Sequence, residues 1–297
     1  MAIHKEVKSV LNKSRERDNW FLNDYSVNPY SGCSFNCMYC YIRGSKYGLH
    51  MERKLVVKSN AAELLDKQLY YRAKKEQYGF IVLASATEPY LQLEGELKMT
   101  RQMLEVILKH RFPVHIITKS GLVERDFDLI AAIGHGAILP TDFKGKLNTG
   151  ALLTFSFSTL QDEVARIFEP GATLPSVRQR TVKMALKNNI HTGISMMPLL
   201  PFISDTTESL NEMFQTFSAI GVKYLMPATL TLFGNDKSDG KSLTFNAIEK
   251  HYPELLQKYQ KYFKHSHQMP AYYQKAFSKK MKEMAIAYNL PDRIIKP

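Results

Sequence analysis

From residue 78 onward the chain sets short apolar runs, rich in β-branched and aromatic residues, between longer stretches whose apolar positions recur at helical spacing. Residues 79–85 (GFIVLAS), 113–119 (PVHIITK), 152–158 (LLTFSFS), 190–197 (IHTGISMM) and 222–228 (VKYLMPA) read as strands, returning about every 30 to 40 residues. That interval suits βα units, because a parallel return needs a crossover helix. Helices fit between them. In MTRQMLEVILKHR the residues Met99, Met103, Val106, Ile107 and Leu108 make an apolar face, and in PSVRQRTVKMALKNN Pro175 suits a first turn. Thr206 or Thr207 ahead of Glu208 starts a third helix that Gly221 closes. A strand at residues 25–30 brings the count to six βα units. Six are too few for a closed eight-stranded barrel. The expected fold class is therefore α/β: a partial (βα)6 TIM-type barrel, a parallel sheet open on one side with ligands at the carboxyl ends of its strands.

Three segments are expected: a basic N-terminal segment at 1–24, the partial barrel at 25–235, and a helical, basic, tyrosine-rich C-terminal extension at 236–297 over the mouth or its side. GNDKSDGKS, from residue 234, reads as a linker or turn, and the Gly/Pro-rich residues 134–150 read as a surface excursion. With 44% hydrophobic and 23% charged residues the chain has the composition of a globular protein with a real core. No apolar run approaches a membrane span, and the polar start lacks the apolar stretch of a signal peptide, so a cytoplasmic location without membrane contact is expected. The net charge of +12 is uneven: 10 Lys+Arg face 5 Asp+Glu in residues 1–58, 20 face 20 in 59–249, and 10 face 3 in 250–297. Two basic ends on a neutral middle fit contact with a polyanion such as DNA or RNA; a solvated face explains them equally.

All three cysteines, Cys33, Cys37 and Cys40, lie in CSFNCMYCY with spacing C-x3-C-x2-C. An odd, tight set makes a poor disulfide framework and points to metal or redox chemistry. Three thiolates can hold three irons of a cubane and leave the fourth open to substrate or cofactor. Gly32 and small Ser34 permit a tight wrap, and Tyr39 and Tyr41 flank Cys40, placed to shield a cluster or stack on an adenine. Zinc with His50 as fourth ligand is the competing reading, although no second cysteine pair exists to complete the usual spacing. A redox-active thiol would need fewer cysteines.

C-x3-C-x2-C with an aromatic before the last cysteine, heading a (βα)6 barrel, resembles the radical S-adenosylmethionine (radical SAM) superfamily. The strings NPYSGCSFNCMYCYIR, ATEPYLQLEGELKMTRQMLEVI, FSFSTLQDEVARIFEPGATLPSVRQRTV and MMPLLPFISDT further resemble its spore photoproduct lyase-like branch, also labelled DNA repair photolyase-like. The resemblance implies a [4Fe-4S] cluster on Cys33, Cys37 and Cys40, and SAM chelated through its methionine moiety by the open iron. It implies reductive cleavage to a 5′-deoxyadenosyl radical, with electrons from a reductant such as flavodoxin or ferredoxin. It also implies roles along the strand ends. Ser85, Thr87 and Glu88 would meet the SAM ammonium, Lys119 its carboxylate, and Met197 the adenosyl group, while Tyr39 would contact the cofactor. Ser156 and Ser158 alternate with Phe155 and Phe157, so both serines share one strand face, expected to be the interior. Arg178 and Arg180 suit carboxylate or phosphate contacts, or a surface ion pair with Glu169 or Asp162, and His115 reads as a core histidine. The branch's lyase uses a further cysteine near the end of the second strand as hydrogen-atom donor, where this chain has ASATEP with Ala86. Of the tyrosines expected near the mouth, Tyr25, Tyr30, Tyr39, Tyr41 and Tyr90, the candidates to substitute are Tyr30 and Tyr90, and the sequence does not fix the catalytic residue. Alternatives to a nucleic-acid substrate are a peptide or small molecule; alternatives to an enzyme are an electron carrier or a non-catalytic zinc and nucleic-acid-binding module.

Overall fold

The computed structural model describes residues 2–46, 48, 55–83 and 87–295. In chain order its elements begin with β1 (Ile3–Lys5), β2 (Asn12–Lys13), β3 (Tyr25–Val27), β4 (Tyr30–Ser31), β5 (Val56–Lys58), α1 (Ala61–Lys74) and β6 (Ile81–Leu83). The middle adds α2 (Glu94–Leu97), α3 (Met99–Lys109), β7 (Val114–Thr118), α4 (Phe127–Gly136), β8 (Ala151–Ser156), α5 (Asp162–Phe168), α6 (Pro175–Lys187) and β9 (His191–Leu199). The last part holds α7 (Thr207–Ile220), β10 (Leu225–Thr229), α8 (Gly240–His251), α9 (Leu256–Tyr262) and α10 (Ala271–Ala287).

Six strands, β3, β6, β7, β8, β9 and β10, lie side by side in that order, all parallel, and β2 adds an antiparallel edge beside β3. This is the expected partial barrel. The helix signals held too: Thr206 caps α7 by accepting the Ser209 N–H at 3.2 Å, Gly221 ends it at φ +85°, and Pro175 opens α6.

The strand expected over residues 25–30 is two. Tyr25–Val27 stays in the main sheet, while Tyr30–Ser31 joins a separate small sheet in the order β1-β5-β4. Pro29 lies between and has no N–H for a ladder; its carbonyl instead accepts from Lys58 N–H at 3.0 Å. The break redirects the chain toward the cysteines.

β8 shows how the layers form. Ala151, Leu153 and Phe155 pack with the helices in the main core, whereas Leu152 packs with Phe80, Tyr224 and Met226 on the opposite face. Both faces are buried, as a parallel sheet demands. Phe157 continues the helix side, edge-on to Phe217 at 5.0 Å between ring centres, and each such buried ring contributes roughly 2–3 kcal/mol. Residues 134–150 are less superficial than expected. Phe143 and Leu147 are buried, and Phe143 meets Phe80 edge-on, so the loop plugs the interior at the amino ends of the strands.

GNDKSDGKS is only partly a turn, since α8 begins within it at Gly240. The C-terminal helices build a second core, in which Ile248, Leu255, Tyr259 and Phe263 pack with Tyr39, Val164 and Phe168. α8 leans on the cysteine loop, and Tyr259 Oη donates to the Pro201 carbonyl after β9 at 2.9 Å. No helix among the described residues is long and apolar enough to cross a membrane.

Candidate active site

The cysteine loop follows β4 and is gripped from two sides. Gly32 turns the chain at φ +87° just ahead of Cys33. Gly171, after α5, donates its N–H to the Phe35 carbonyl at 2.9 Å, and a Cβ there would sit 2.6 Å from the Ser34 carbonyl. Met38 N–H donates to the Phe168 carbonyl at 2.8 Å, and Thr244 Oγ1 of α8 donates to the Met38 carbonyl at 3.2 Å. Cys40 N–H closes a turn onto the Cys37 carbonyl at 3.2 Å.

The thiols are free and partly accessible. Burial pushes the Cys33 pKa up to about 12 and that of Cys37 higher still. A cationic iron core reverses that penalty, so the donors suit a cluster. Among the described residues no three His, Cys, Asp or Glu side chains gather as a ready-made metal site. The thiols nevertheless feel one another electrostatically across the loop, Cys33 and Cys37 each sensing Cys40. His50 lies outside the described residues.

Ser85, with Ala84 and Ala86, also lies outside the described residues. Thr87 Oγ1 donates to the Gly32 carbonyl at 2.5 Å, tying the end of the second barrel strand to the cysteine loop. Glu88 is 5% exposed. Its Oε1 accepts from Thr118 Oγ1 at 2.5 Å and Tyr90 N–H at 3.0 Å, and its Oε2 from Lys119 N–H at 3.0 Å. A carboxylate offers about four acceptor positions, so one remains for an ammonium. The Thr87–Gly32 bond and the Glu88–Lys119 N–H bond together set the ends of β6 and β7 beside the loop.

Lys119 Nζ lies 3.6 Å from Glu169 Oε1 and 5.8 Å above the centre of the Tyr39 ring. Glu169 also accepts from Ser158 Oγ at 2.8 Å, from Arg178 Nη2 at 2.5 Å and from the Tyr39 hydroxyl. Three expectations change here. Arg178 is fully buried rather than on a helix surface; Ser158 is already committed to Glu169; and Tyr39 is packed in the second core with its hydroxyl held. The reason is common to all three: a carboxylate out of water gathers every donor within reach. Ser156 lies on the interior face of β8, with its carbonyl taken by Arg178 Nη1. Met197 is half-buried against the interior cluster of Leu152, Tyr224 and Met226.

Tyr30 and Tyr90 do not reach the mouth. Both rings are buried; the Tyr30 hydroxyl donates to Glu94, and Tyr90 sits beside Asp126. Sequence reasoning missed this second buried cluster, in which Arg125 bridges Glu94 at 2.8 Å and Asp126 at 2.7 Å, and Arg101 joins Asp126 at 2.9 Å. The charged string VERDFD carries half of it and reads locally as a solvated helix start. His115 is a core histidine as expected, with Nδ1 2.9 Å from the Phe21 carbonyl and Nε2 2.6 Å from Thr154 Oγ1. Burial lowers its pKa to about 4.

A clamped three-thiol loop against the carboxyl ends of six parallel strands defines a class of cofactor-dependent barrel. Residues 27–214 match the family model of the Radical SAM superfamily, and the chain belongs to that superfamily. Its cofactors are those of the family, a [4Fe-4S] cluster and SAM. An uncharacterized protein of Mycobacterium tuberculosis is 25% identical over 272 residues, covering 90% of this chain and 75% of that protein. Among solved structures, a mutant of spore photoproduct lyase is similar with a TM-score of 0.65 at 14% identity, covering 98% of this chain and 80% of the other. Spore photoproduct lyase complexed with dinucleoside spore photoproduct gives a TM-score of 0.65 at 13% identity, with the same coverage. At such identities the likeness is one of fold.

Proposed function

We propose that Cys33, Cys37 and Cys40 hold three irons of the cluster, that Glu88 takes the SAM ammonium and that Lys119 takes its carboxylate. The observation that carries this reading is geometric: Thr87 Oγ1 ties the second strand end to the Gly32 carbonyl beside Cys33 at 2.5 Å, and Glu88 Oε2 accepts the Lys119 N–H at 3.0 Å, so the thiol loop, an acid and a lysine meet at adjacent strand ends. Thr87 holds the loop against the strand end, while Ser156 and Met197 face the interior where the adenosyl group would lie. Ser85 would extend the ammonium contacts. When bound and reduced, by a donor such as flavodoxin or ferredoxin, the cluster supplies the electron that splits SAM to methionine and a 5′-deoxyadenosyl radical able to take hydrogen from a substrate. Tyr30, whose hydroxyl donates to Glu94, anchors the segment that carries Cys33, and Tyr90 is packed beside the same cluster with its hydroxyl unpaired among the described residues.

Anaerobic reconstitution is the test. About four irons and four sulfides per chain are expected, with 5′-deoxyadenosine formed from SAM and dithionite, and both lost on Cys37→Ala. A single zinc per chain, or a reduced cluster indifferent to SAM, overturns the reading.

For the substrate class we propose nucleic acid. Beside the loop that follows β9, Lys258 lies 4.8 Å over the Phe202 ring, and Phe202 stacks with Tyr262, which in turn meets Tyr272 and Tyr273. Lys261 on α9, Lys264 just past its end and Lys275 on α10 are exposed. Cations interleaved with aromatic rings suit phosphates and stacked bases. Binding of single-stranded DNA or RNA should weaken steeply with salt; no binding at low salt would favour a peptide or small molecule.

A further inference from the structure

The role of Glu169 is not settled by its being buried. Its carboxylate joins four separate parts of the chain: Tyr39 of the cysteine loop, Lys119 at the end of β7, Ser158 just past β8, and Arg178 of α6. The side chain is 1% exposed, as closed as that of Arg178. The two cations do not share it equally. Arg178 is in direct contact at 2.5 Å, whereas Lys119 Nζ stands off at 3.6 Å, beyond hydrogen-bond length. One carboxylate is thus neutralised by arginine, while the lysine is aligned by it and keeps ammonium protons for another acceptor. Tyr39, between Cys37 and Cys40, donates its hydroxyl to Glu169 and lies with its ring 5.8 Å from Lys119 Nζ, so this arrangement abuts the thiol loop.

We propose that Glu169 is a positioning residue: it fixes Lys119 relative to the cysteine loop, so that the lysine cation would be held ready for the carboxylate of SAM. The inference rests on the reading of the three cysteines and Lys119 given above. Arg178 serves by holding the charge of Glu169, leaving Lys119 unspent, and Tyr39 transmits the position of the loop to the same carboxylate. Glu169 itself touches neither cofactor nor substrate.

The test uses the reconstituted full chain and reads SAM binding from the change that SAM produces in the electron paramagnetic resonance of the reduced cluster. Glu169→Gln should load iron and sulfide as the parent does but need on the order of tenfold more SAM, the scale seen when a partner behind a ligating group is removed. Lys119→Met should show a similar shift. The double variant should be no weaker than the weaker single one, because both changes remove one function. If Glu169→Gln fails to load a cluster, Glu169→Gln with Arg178→Gln removes both buried charges together and carries the same expectation. An unchanged SAM titration in the Glu169 variants, with Lys119→Met still weakened, overturns the proposal and leaves Glu169 a packing residue. Failure of the parent chain to load a cluster at all instead overturns the cysteine reading.

Discussion

Glu88 and Glu169 stand at neighbouring corners of one mouth, both withdrawn from water, and their acidities move in opposite directions. Burial raises the pKa of Glu88, and the Thr118 hydroxyl, the Lys119 and Tyr90 N–H groups and the Lys119 charge offset only part of that. Burial likewise acts to raise Glu169, yet Arg178 and Lys119, with hydrogen bonds from Tyr39 and Ser158, hold it down at about 2. Neutral donors satisfy a carboxylate's geometry without fully replacing lost hydration; a cation in contact does. Glu169 is therefore a settled structural anion. Glu88 is an under-compensated one with an acceptor position to spare, a state that suits the ammonium contact proposed for it.

The contrast can be broken most forcefully at Arg178. Arg178→Met leaves Glu169 with Lys119 as its remaining cation and should cost about 3–5 kcal/mol, the scale for unpairing a buried ion pair, read by urea unfolding. Loss of less than about 1 kcal/mol, the scale of an exposed pair, would mean that the pair is solvated. Glu88→Gln should be milder, about 1–3 kcal/mol for one mismatched buried hydrogen bond, while weakening SAM binding in the reconstituted protein. An unchanged SAM affinity would remove Glu88 from the ammonium site.

The smallest effects sharpen the comparison by pH. Glu169, depressed from an ordinary 4.5 to about 2, contributes stability that is present above about 4.5 and is lost as pH falls toward 2. Glu88, raised above 4.5, works the other way: stability declines as pH rises from 4.5 through its folded value. Unfolding free energies measured across pH should thus show Glu88→Gln gaining on the parent as pH rises from 4.5. A parallel pair of profiles would show that Glu88 is not perturbed. His115 adds a separate acid limb, since its neutral folded form, with pKa about 4 against an ordinary 6.5, loses stability as pH falls between those values.

Much of the framework was legible in the order of residues. The six strands, the helix starts at Thr206 and Pro175, the core role of His115 and the position of the thiol loop follow from periodicity, capping chemistry and spacing, all local properties. Pro29 could have warned that residues 25–30 are not one strand. The Glu94–Arg125–Asp126 cluster gave no warning, because charged residues on a short helical turn look the same whether solvent or another element covers them. Tyr30 and Tyr90 were misplaced for the same reason: sequence position puts them near the mouth, and only the direction of the side chain takes their hydroxyls away from it.

By itself the sequence determined what kind of chemistry this protein carries, since three thiols on one short loop and the βα repeat are encoded within a few residues or by a regular period. Only the tertiary structure decided how the acids and bases around that loop are paired. Glu169 meets Tyr39 across 130 residues and Lys119 across the sheet, and the state of a carboxylate depends on the distance and charge of such partners, which no local pattern records.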